Sequence, residues 1–260
     1  MSDSEVSFAV EGEVAYLTFN RPDARNAMTW AMYDALADAC ERVDSDPQIR
    51  VLVLRGAGDA FVAGTDIGQF RDFKSASDGV AYERRMGLVI DRLERVAVPT
   101  IAQVHGVAAG GGCLIALAAD LRVCTPAARF GVPIARTLGN CLSASNYARL
   151  VDLIGPARTT DLIFTGRFLD AAEAHSLGLV SRLAEPDAIA VAVRELAHTV
   201  AALAPLTLRA TKESIRRIVL HRRLDEGAVD DLVSRCYASD DFREGVAAFL
   251  ARRPPRFSGR

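Results

Sequence analysis

Apolar positions along this chain repeat with two different periods. In "VAYLTF" (residues 14–19) and "VLVLRGAG" (51–58) they crowd into short runs that end at breakers, "NRPD" after the first and glycines in the second. Such runs predict strands, the second buried on both faces. "TIAQVHG" (100–106), following Pro99, and "LRVCT" (121–125) have the same form. Between the first two runs, Met28, Met32, Ala35, Leu36, Ala39 and Val43 fall at helical spacing and predict a helix over 28–43. Strands alternating with helices imply α/β organisation with right-handed crossovers. From about residue 157 the strand signal fades, and 170–180, 187–203, 205–220 and 224–239 predict helices. Pro186 and Pro205 stand at first-turn positions. The change of period places a soft boundary near residue 200, between a core (1–200) and a C-terminal helical region (201–260). The tail "RRPPRFSGR" either frays or docks.

Composition narrows the partners. Half of the 260 residues are apolar, enough for a sizeable core. The net charge of −2 and the lack of a basic run argue against nucleic acid. The longest apolar stretch is far too short to span a bilayer, and the start carries no secretory pattern. The expectation is a cytoplasmic protein with no membrane partner. Five scattered cysteines form no CxxC pair, so no disulfide framework and no metal site is expected.

"GVAAGGGCLIALAAD" (106–120) sets three glycines before an apolar run. A dinucleotide fingerprint would need its third glycine at Ile115, and the P-loop and GxSxG patterns are absent. What remains is a strand, a turn, glycines and a helix over about 111–118. Glycine amides at a helix N-terminus lack intrahelical partners and can bind an oxyanion, although tight helix-to-strand packing also wants glycine. "GAGDAFVAGTDI" (56–67) repeats the arrangement, with a helix starting at Asp66. Two such strand ends could converge on one carbonyl oxygen.

With "FNRPDARNAM", "ARFGVP", "DLIFTGRFLDAAEAHSLGLV" and "SDDFREGVAAFLARRPPRF", these stretches resemble, in order and over roughly residues 8–257, the successive signatures of the crotonase (enoyl-CoA hydratase/isomerase) superfamily. The resemblance implies a ββα-spiral core with a C-terminal helical trimerisation region, and a homotrimer or hexamer. It implies an acyl-CoA thioester as the partner, with coenzyme A part of the substrate and no separate cofactor. It puts the thioester oxygen between the backbone amides of Thr65 and Gly111. Ala24, Arg25, Ala63, Asp66 and Ile67 would line the CoA path, with Asp66 also an N-cap. Phe249 and Arg252 would approach the nucleotide of a neighbouring subunit.

The chain departs from the hydratase pattern where protons are handled. Family hydratases carry glutamates at GGGxE and FGxPE, and here those positions are Leu114 and Ile134. A third site, acidic or tyrosyl in some relatives, falls near Leu142. Aliphatic side chains transfer no protons. With Leu138 they make an apolar acyl pocket suited to a fatty or aromatic chain, shaped further by residues 68–80. Arg136, Asn140, Cys141, Ser143 and Tyr147 could face the acyl group. His105, His175 and an Asp120–Arg122 pair read as structural. Two functions follow: an acyl-CoA enzyme that stabilises a thioester enolate with acid–base groups unlike a hydratase's, or a non-catalytic acyl-CoA-binding protein.

Overall fold

The computed structural model describes residues 4–221, 227 and 230–258. The chain opens with a hairpin of β1 (Val6–Glu11) and β2 (Val14–Phe19), followed by α1 (Trp30–Ser45), whose N-cap Thr29 accepts from Met32 N at 3.2 Å. Next come β3 (Val51–Gly56), a 3-10 segment (Ile67–Asp72), α2 (Ala76–Glu94), β4 (Thr100–Val104), β5 (Val107–Ala109) and α3 (Gly111–Ala118). Then follow β6 (Leu121–Cys124), β7 (Arg129–Gly131), the one-turn α4 (Ile134–Thr137) and α5 (Ala144–Thr165), which is broken at Gly155 before Pro156. The remaining elements are β8 (Leu169–Asp170), α6 (Ala171–Ser176), β9 (Arg182–Leu183), α7 (Ile189–Ala201), α8 (Pro205–Leu220), α9 (Asp230–Tyr237) and α10 (Asp240–Leu250).

Six strands form one sheet in the order β1-β2-β3-β4-β6-β9, parallel from β2 onward, and β5-β7-β8 form a smaller one. After β4 the chain turns a corner at Gly106, adds β5 to the small sheet and returns through α3; β3 does the same through residue 62, which bridges Ala108. This is the expected ββα spiral. It aligns successive strand ends on one side of the molecule.

The apolar runs are continuous because both faces of the large sheet are covered. Leu17, Leu52, Leu54, Ala102 and Val104 face the main core with α1 and α2. Val14, Tyr16, Val51, Val53, Ile101 and Val123 face Val193, Leu196 and Ala197 of α7. A third cluster joins Ile67 and Phe70 to Leu138, Val233, Tyr237, Phe242 and Val246, laying α9 and α10 over the 3-10 segment. The tail docks: Glu244 accepts from Arg253 and from Arg256 N.

Several boundaries move. Met28 is not the first helical residue; it bridges Thr65 in extended form, with its N–H on Gly64 O at 2.8 Å. The helix expected over 170–180 stops at Ser176, because Gly178 turns left-handed and Ser181 N bonds Arg122 O, feeding β9. Two strands, β8 and β9, therefore lie beyond residue 157. Pro186 sits in the turn ahead of α7, whereas Pro205 is the first residue of α8. Of the helix expected over 224–239, residues 224–226, 228 and 229 lie outside the described residues, and α9 starts at Asp230. Residues 68–80 hold most of the 3-10 segment and the start of α2. Among the described residues, no single helix is long and apolar enough to cross a membrane.

Arg149 of α5, only 2 % exposed, ties that helix to α2 through Asp91 and Glu94 and also bonds Asn146. Removing one member of a buried ion cluster leaves its partners uncompensated. Arg149→Met is expected to lower the unfolding free energy by about 3 kcal/mol, measured by urea denaturation.

Candidate active site

Each glycine of the triplet has its own reason. Gly110 holds φ 48 and ψ −121, a conformation outside the reach of other residues. A β-carbon on Gly111 would come to 2.2 Å from the Tyr33 hydroxyl, and one on Gly112 to 2.1 Å from Val62 O. The N-terminus of α3 therefore packs directly against the loop that follows β3. Val62 N donates to Val107 O and Ala109 N donates to Val62 O, which joins the two strand ends. The surrounding backbone bonds run from Met28 N to Gly64 O, Asp66 N to Met28 O and Gly110 N to Gly131 O. They pass over the amides of Thr65 and Gly111. Gly111 is the first residue of α3, where no intrahelical acceptor exists. A β-carbon there would also stand 3.2 Å from Thr65 Oγ1, so the two residues adjoin.

Both line a cavity of about 750 Å³. The same wall holds the residues expected on the CoA path and in the acyl pocket: Ala24, Arg25, Ala63, Asp66, Ile67, Leu114, Ile134, Leu138, Leu142, Phe249 and Arg252. The four aliphatic acyl-pocket residues are buried, whereas Arg25, Phe249 and Arg252 are exposed. One end of the cavity is thus apolar and enclosed, and the other is open and basic. Arg25 and Arg252 both adopt left-handed backbone, at φ 49 and 53. Such conformations are unfavourable for a side chain larger than glycine and concentrate at functional sites. Asp66 caps the 3-10 segment by accepting Gly68 N at 3.0 Å, and it pairs with Arg21 at 2.9 Å. Phe249 and Arg252, expected to approach the nucleotide of a neighbouring subunit, line the cavity of their own chain. The reason is that α10 folds back over α4, with Gly245 so close to Leu138 that a β-carbon would reach its carbonyl at 2.5 Å.

The structure adds residues that the sequence reading missed. Helix α2 brings Tyr82, Glu83, Met86 and Ile90 to the wall, α1 brings Tyr33 and α5 brings Asn146, beside Asn140, which the sequence did nominate. A chain of hydroxyls runs from Tyr33 Oη to Thr65 Oγ1 (2.8 Å) and on to Tyr82 Oη (2.9 Å). Burial pushes both phenols up, so they stay neutral. Glu83 is 4 % exposed; its Oε2 accepts from Ser143 N at 2.9 Å and its Oε1 from the Tyr237 hydroxyl at 3.0 Å. Tyr237 Oη accepts in turn from Asn140 Nδ2 at 3.1 Å. Burial pushes the Glu83 carboxyl up to about 8, against the two hydrogen bonds that favour its ionised form. Asn140 Oδ1 and Asn146 Nδ2 are buried without a partner among the described residues. The pocket is accordingly less uniformly apolar than its four aliphatic residues suggest. The available signal was the helical spacing of Tyr82, Met86 and Ile90, with a carboxyl set beside it.

Other candidates fall elsewhere. Arg136, Cys141, Ser143 and Tyr147 do not line the cavity, although Ser143 supports Glu83 through its amide. The Cys141 thiol is pushed up by its hydrogen bond with Cys236 and by burial, which leaves no thiolate nucleophile. His105 bonds Gly58 O and His175 bonds Val180 O, both away from the cavity. Asp120 and Arg122 are structural, and they meet through the Asp120 carbonyl, which accepts from Arg122 Nη2 at 3.4 Å, while their charged groups serve other partners. Asp120 binds Thr100 and Lys212, and Arg122 spends its donors on carbonyls, among them those of Ala116, Leu117 and Leu179.

Known proteins resemble this chain over nearly its whole length. The family model described as enoyl-CoA hydratase/isomerase matches residues 9–260. A probable enoyl-CoA hydratase of Mycobacterium tuberculosis is 35 % identical over 249 residues, 95 % of each chain. A crystal structure of an enoyl-CoA hydratase/carnitine racemase from Magnetospirillum magneticum is 34 % identical, with TM-score 0.80 over 100 % of this chain and 97 % of that one. A methylmalonyl-CoA decarboxylase complexed with 2S-carboxypropyl CoA superposes with TM-score 0.89 at 25 % identity, covering 100 % of both chains.

Two predictions follow from the packing and the buried acid. Gly111→Ala is expected to cost about 1–3 kcal/mol through overpacking against Tyr33. Adding Tyr33→Phe, which removes the colliding oxygen, should restore more than half of that in a denaturation double-mutant cycle. For Glu83, the unfolded chain ionises near its ordinary value of 4.5 while the native chain keeps its proton to about 8. Glu83 therefore favours the native state fully only at low pH, and that contribution is lost as pH rises through this window, at up to about 1.4 kcal/mol per unit. The stability of Glu83→Gln relative to wild type should accordingly climb between pH 5 and 8, read by urea unfolding at each pH.

Proposed function

The chain belongs to the enoyl-CoA hydratase/isomerase family, and from that membership together with its site we propose an acyl-CoA enzyme that stabilises a thioester enolate. The observation that carries the reading is the pair of adjoining amides, Thr65 and Gly111, that the surrounding backbone bonds leave over at the wall of the cavity. Loss of an α-proton from a thioester moves negative charge onto its oxygen. Donors fixed in advance lower that barrier by about 3 kcal/mol each. In this proposal the oxygen sits between Thr65 N and Gly111 N, and the acyl chain lies along Leu114, Ile134, Leu138 and Leu142. The CoA moiety follows Ala24, Ala63, Asp66 and Ile67, past Phe249, toward the cations of Arg25 and Arg252, which suit phosphate oxygens.

Leu114 and Ile134 stand where the family's hydratases carry glutamates, so the proton chemistry falls to other groups. The reaction is then isomerisation, decarboxylation, retro-aldol cleavage or an atypical hydration, each of which passes through an enolate. Helix α8 exposes Leu206, Ile215 and Ile218, which supports assembly of the chain as a homotrimer or hexamer.

The test is α-proton exchange, followed by NMR, on a panel of saturated acyl-CoA thioesters in D2O. Enzyme-dependent exchange is expected on at least one chain; tight binding without exchange on any would make the protein a non-catalytic acyl-CoA binder. Gly111→Ala and Gly111→Pro carry the same β-carbon, but only proline lacks the N–H. The proline variant should therefore exchange at least about a hundredfold more slowly than the alanine one. Crotonyl-CoA hydration at rates ordinary for a hydratase would overturn the reading of Leu114 and Ile134.

A further inference from the structure

An enolate site needs a group that carries the proton, and few of the described side chains on this cavity can do so. Asp66 is committed to Arg21 and to Gly68 N, and Asp23 is exposed. The hydroxyls of Tyr33 and Tyr82 are held neutral by burial and bond Thr65 Oγ1. We propose that Glu83 is the catalytic acid–base of this chain: its carboxyl, buried in the wall that holds Thr65 and Gly111 and fixed by Tyr237 and Ser143, takes the proton from the acyl α-carbon and returns it. The proposal rests on the enolate reading above and names the group that reading leaves open.

The step balances without any further reactant. The α C–H bond breaks, its proton passes to a Glu83 carboxylate oxygen, and the electron pair moves into the thioester as an enolate. Return of the proton to carbon, or its exchange with solvent first, completes the cycle. The hydrogen bonds suit this use. Both groups that hold the carboxyl, Ser143 N and the Tyr237 hydroxyl, donate to it. When Glu83 is protonated, its own O–H can turn to the Tyr237 hydroxyl oxygen, 3.0 Å away, or to a ligand in the cavity that Glu83 lines. When it is ionised, the same two donors stabilise the charge.

The surroundings set where it titrates. From α9 it meets Tyr237, from the segment before α5 it meets Cys141, and from α1 it meets Tyr33; Tyr82 neighbours it on α2. The cations nearby are committed elsewhere: Arg84 to Asp230, Arg85 to Asp34, and Arg149 of α5 to Asp91 and Glu94. Leu114 is what α3 contributes to the same cavity wall. With burial dominant, the carboxyl crosses from acid to base near pH 8, close to where a proton carrier works in both directions.

The experiment compares wild type, Glu83→Gln and Glu83→Asp by NMR of α-proton exchange in D2O, using butyryl-CoA, decanoyl-CoA and phenylacetyl-CoA, with Kd for each thioester measured by calorimetry. Wild-type exchange should rise with pH to a plateau, with a midpoint near 8. Glu83→Gln should lose at least about a hundredfold in exchange and the pH dependence with it, while Kd stays within threefold. Glu83→Asp should recover part of the rate and keep a sigmoid profile. Wild-type exchange that survives in Glu83→Gln with its pH profile intact would overturn the assignment and leave the enolate reading standing. Binding without exchange by wild type would overturn both.

Discussion

The missing β-carbons at Gly111 and Gly112 are the constraint on which the site depends. Hydrogen alone lets the start of α3 lie against Val62 O and the Tyr33 hydroxyl, where a methyl group would stand 2.1–2.2 Å away. That contact sets the amide of Gly111 beside Thr65. Each glycine loses roughly 0.5–1 kcal/mol to backbone entropy relative to alanine. The apolar run that follows is the counterweight. Cys113, Leu114, Ile115 and Leu117 are buried, and burying a large aliphatic side chain contributes about 1.5–3 kcal/mol. The abrupt change from bare backbone to leucine and isoleucine is thus one device, an exposed amide on a firmly anchored helix.

The facing strand end is held by a different means. Asn26 is fully buried, its Nδ2 donating to Ala57 O and Ala60 O at 2.8 Å and Phe61 O at 3.2 Å, while its Oδ1 accepts from Arg21 N. Ala63 N then bonds Arg25 O at 3.0 Å. A satisfied polar network of this kind fixes geometry more tightly than apolar contact does, because any displacement strands a buried donor. It ties the left-handed backbone of Arg25 to the loop that carries Thr65. The basic end of the cavity and the loop that carries the Thr65 amide are positioned through one side chain.

What the sequence made legible follows from these two devices. Gly110, Gly111 and Gly112 followed by an apolar helix, and a second glycine-marked strand end before Asp66, are local patterns with local causes, and both led to the cavity. Glu83 was not legible. It lies on a helix whose apolar positions alone carry the periodic signal, and its burial is decided by α9 and the segment before α5, more than 50 residues away in sequence. The return of α10 to its own cavity was hidden for the same reason, since it depends on the close seating of Gly245 on Leu138. Asp120 and Arg122, two residues apart, read as a pair. Their charged groups diverge because a buried guanidinium is needed on the carbonyls that end α3, while Lys212 arrives from α8 to meet the carboxylate.

The aliphatic residues at 114 and 134 and the acid at 83 form a balance. An ionised carboxylate in a dry cavity loses several kcal/mol of hydration, and the chain avoids that cost by keeping Glu83 protonated through neutral pH. Leu114 and Ile134 make their part of the wall apolar. A second carboxylate at either position would admit water and add a like charge, and the two acids would then share their titration. The same burial that makes Glu83 a liability to the fold at high pH keeps its proton in the wall of the cavity that Thr65 and Gly111 also line. With aliphatic side chains at 114 and 134, the burial of Glu83 on α2 is cause enough for its raised pKa.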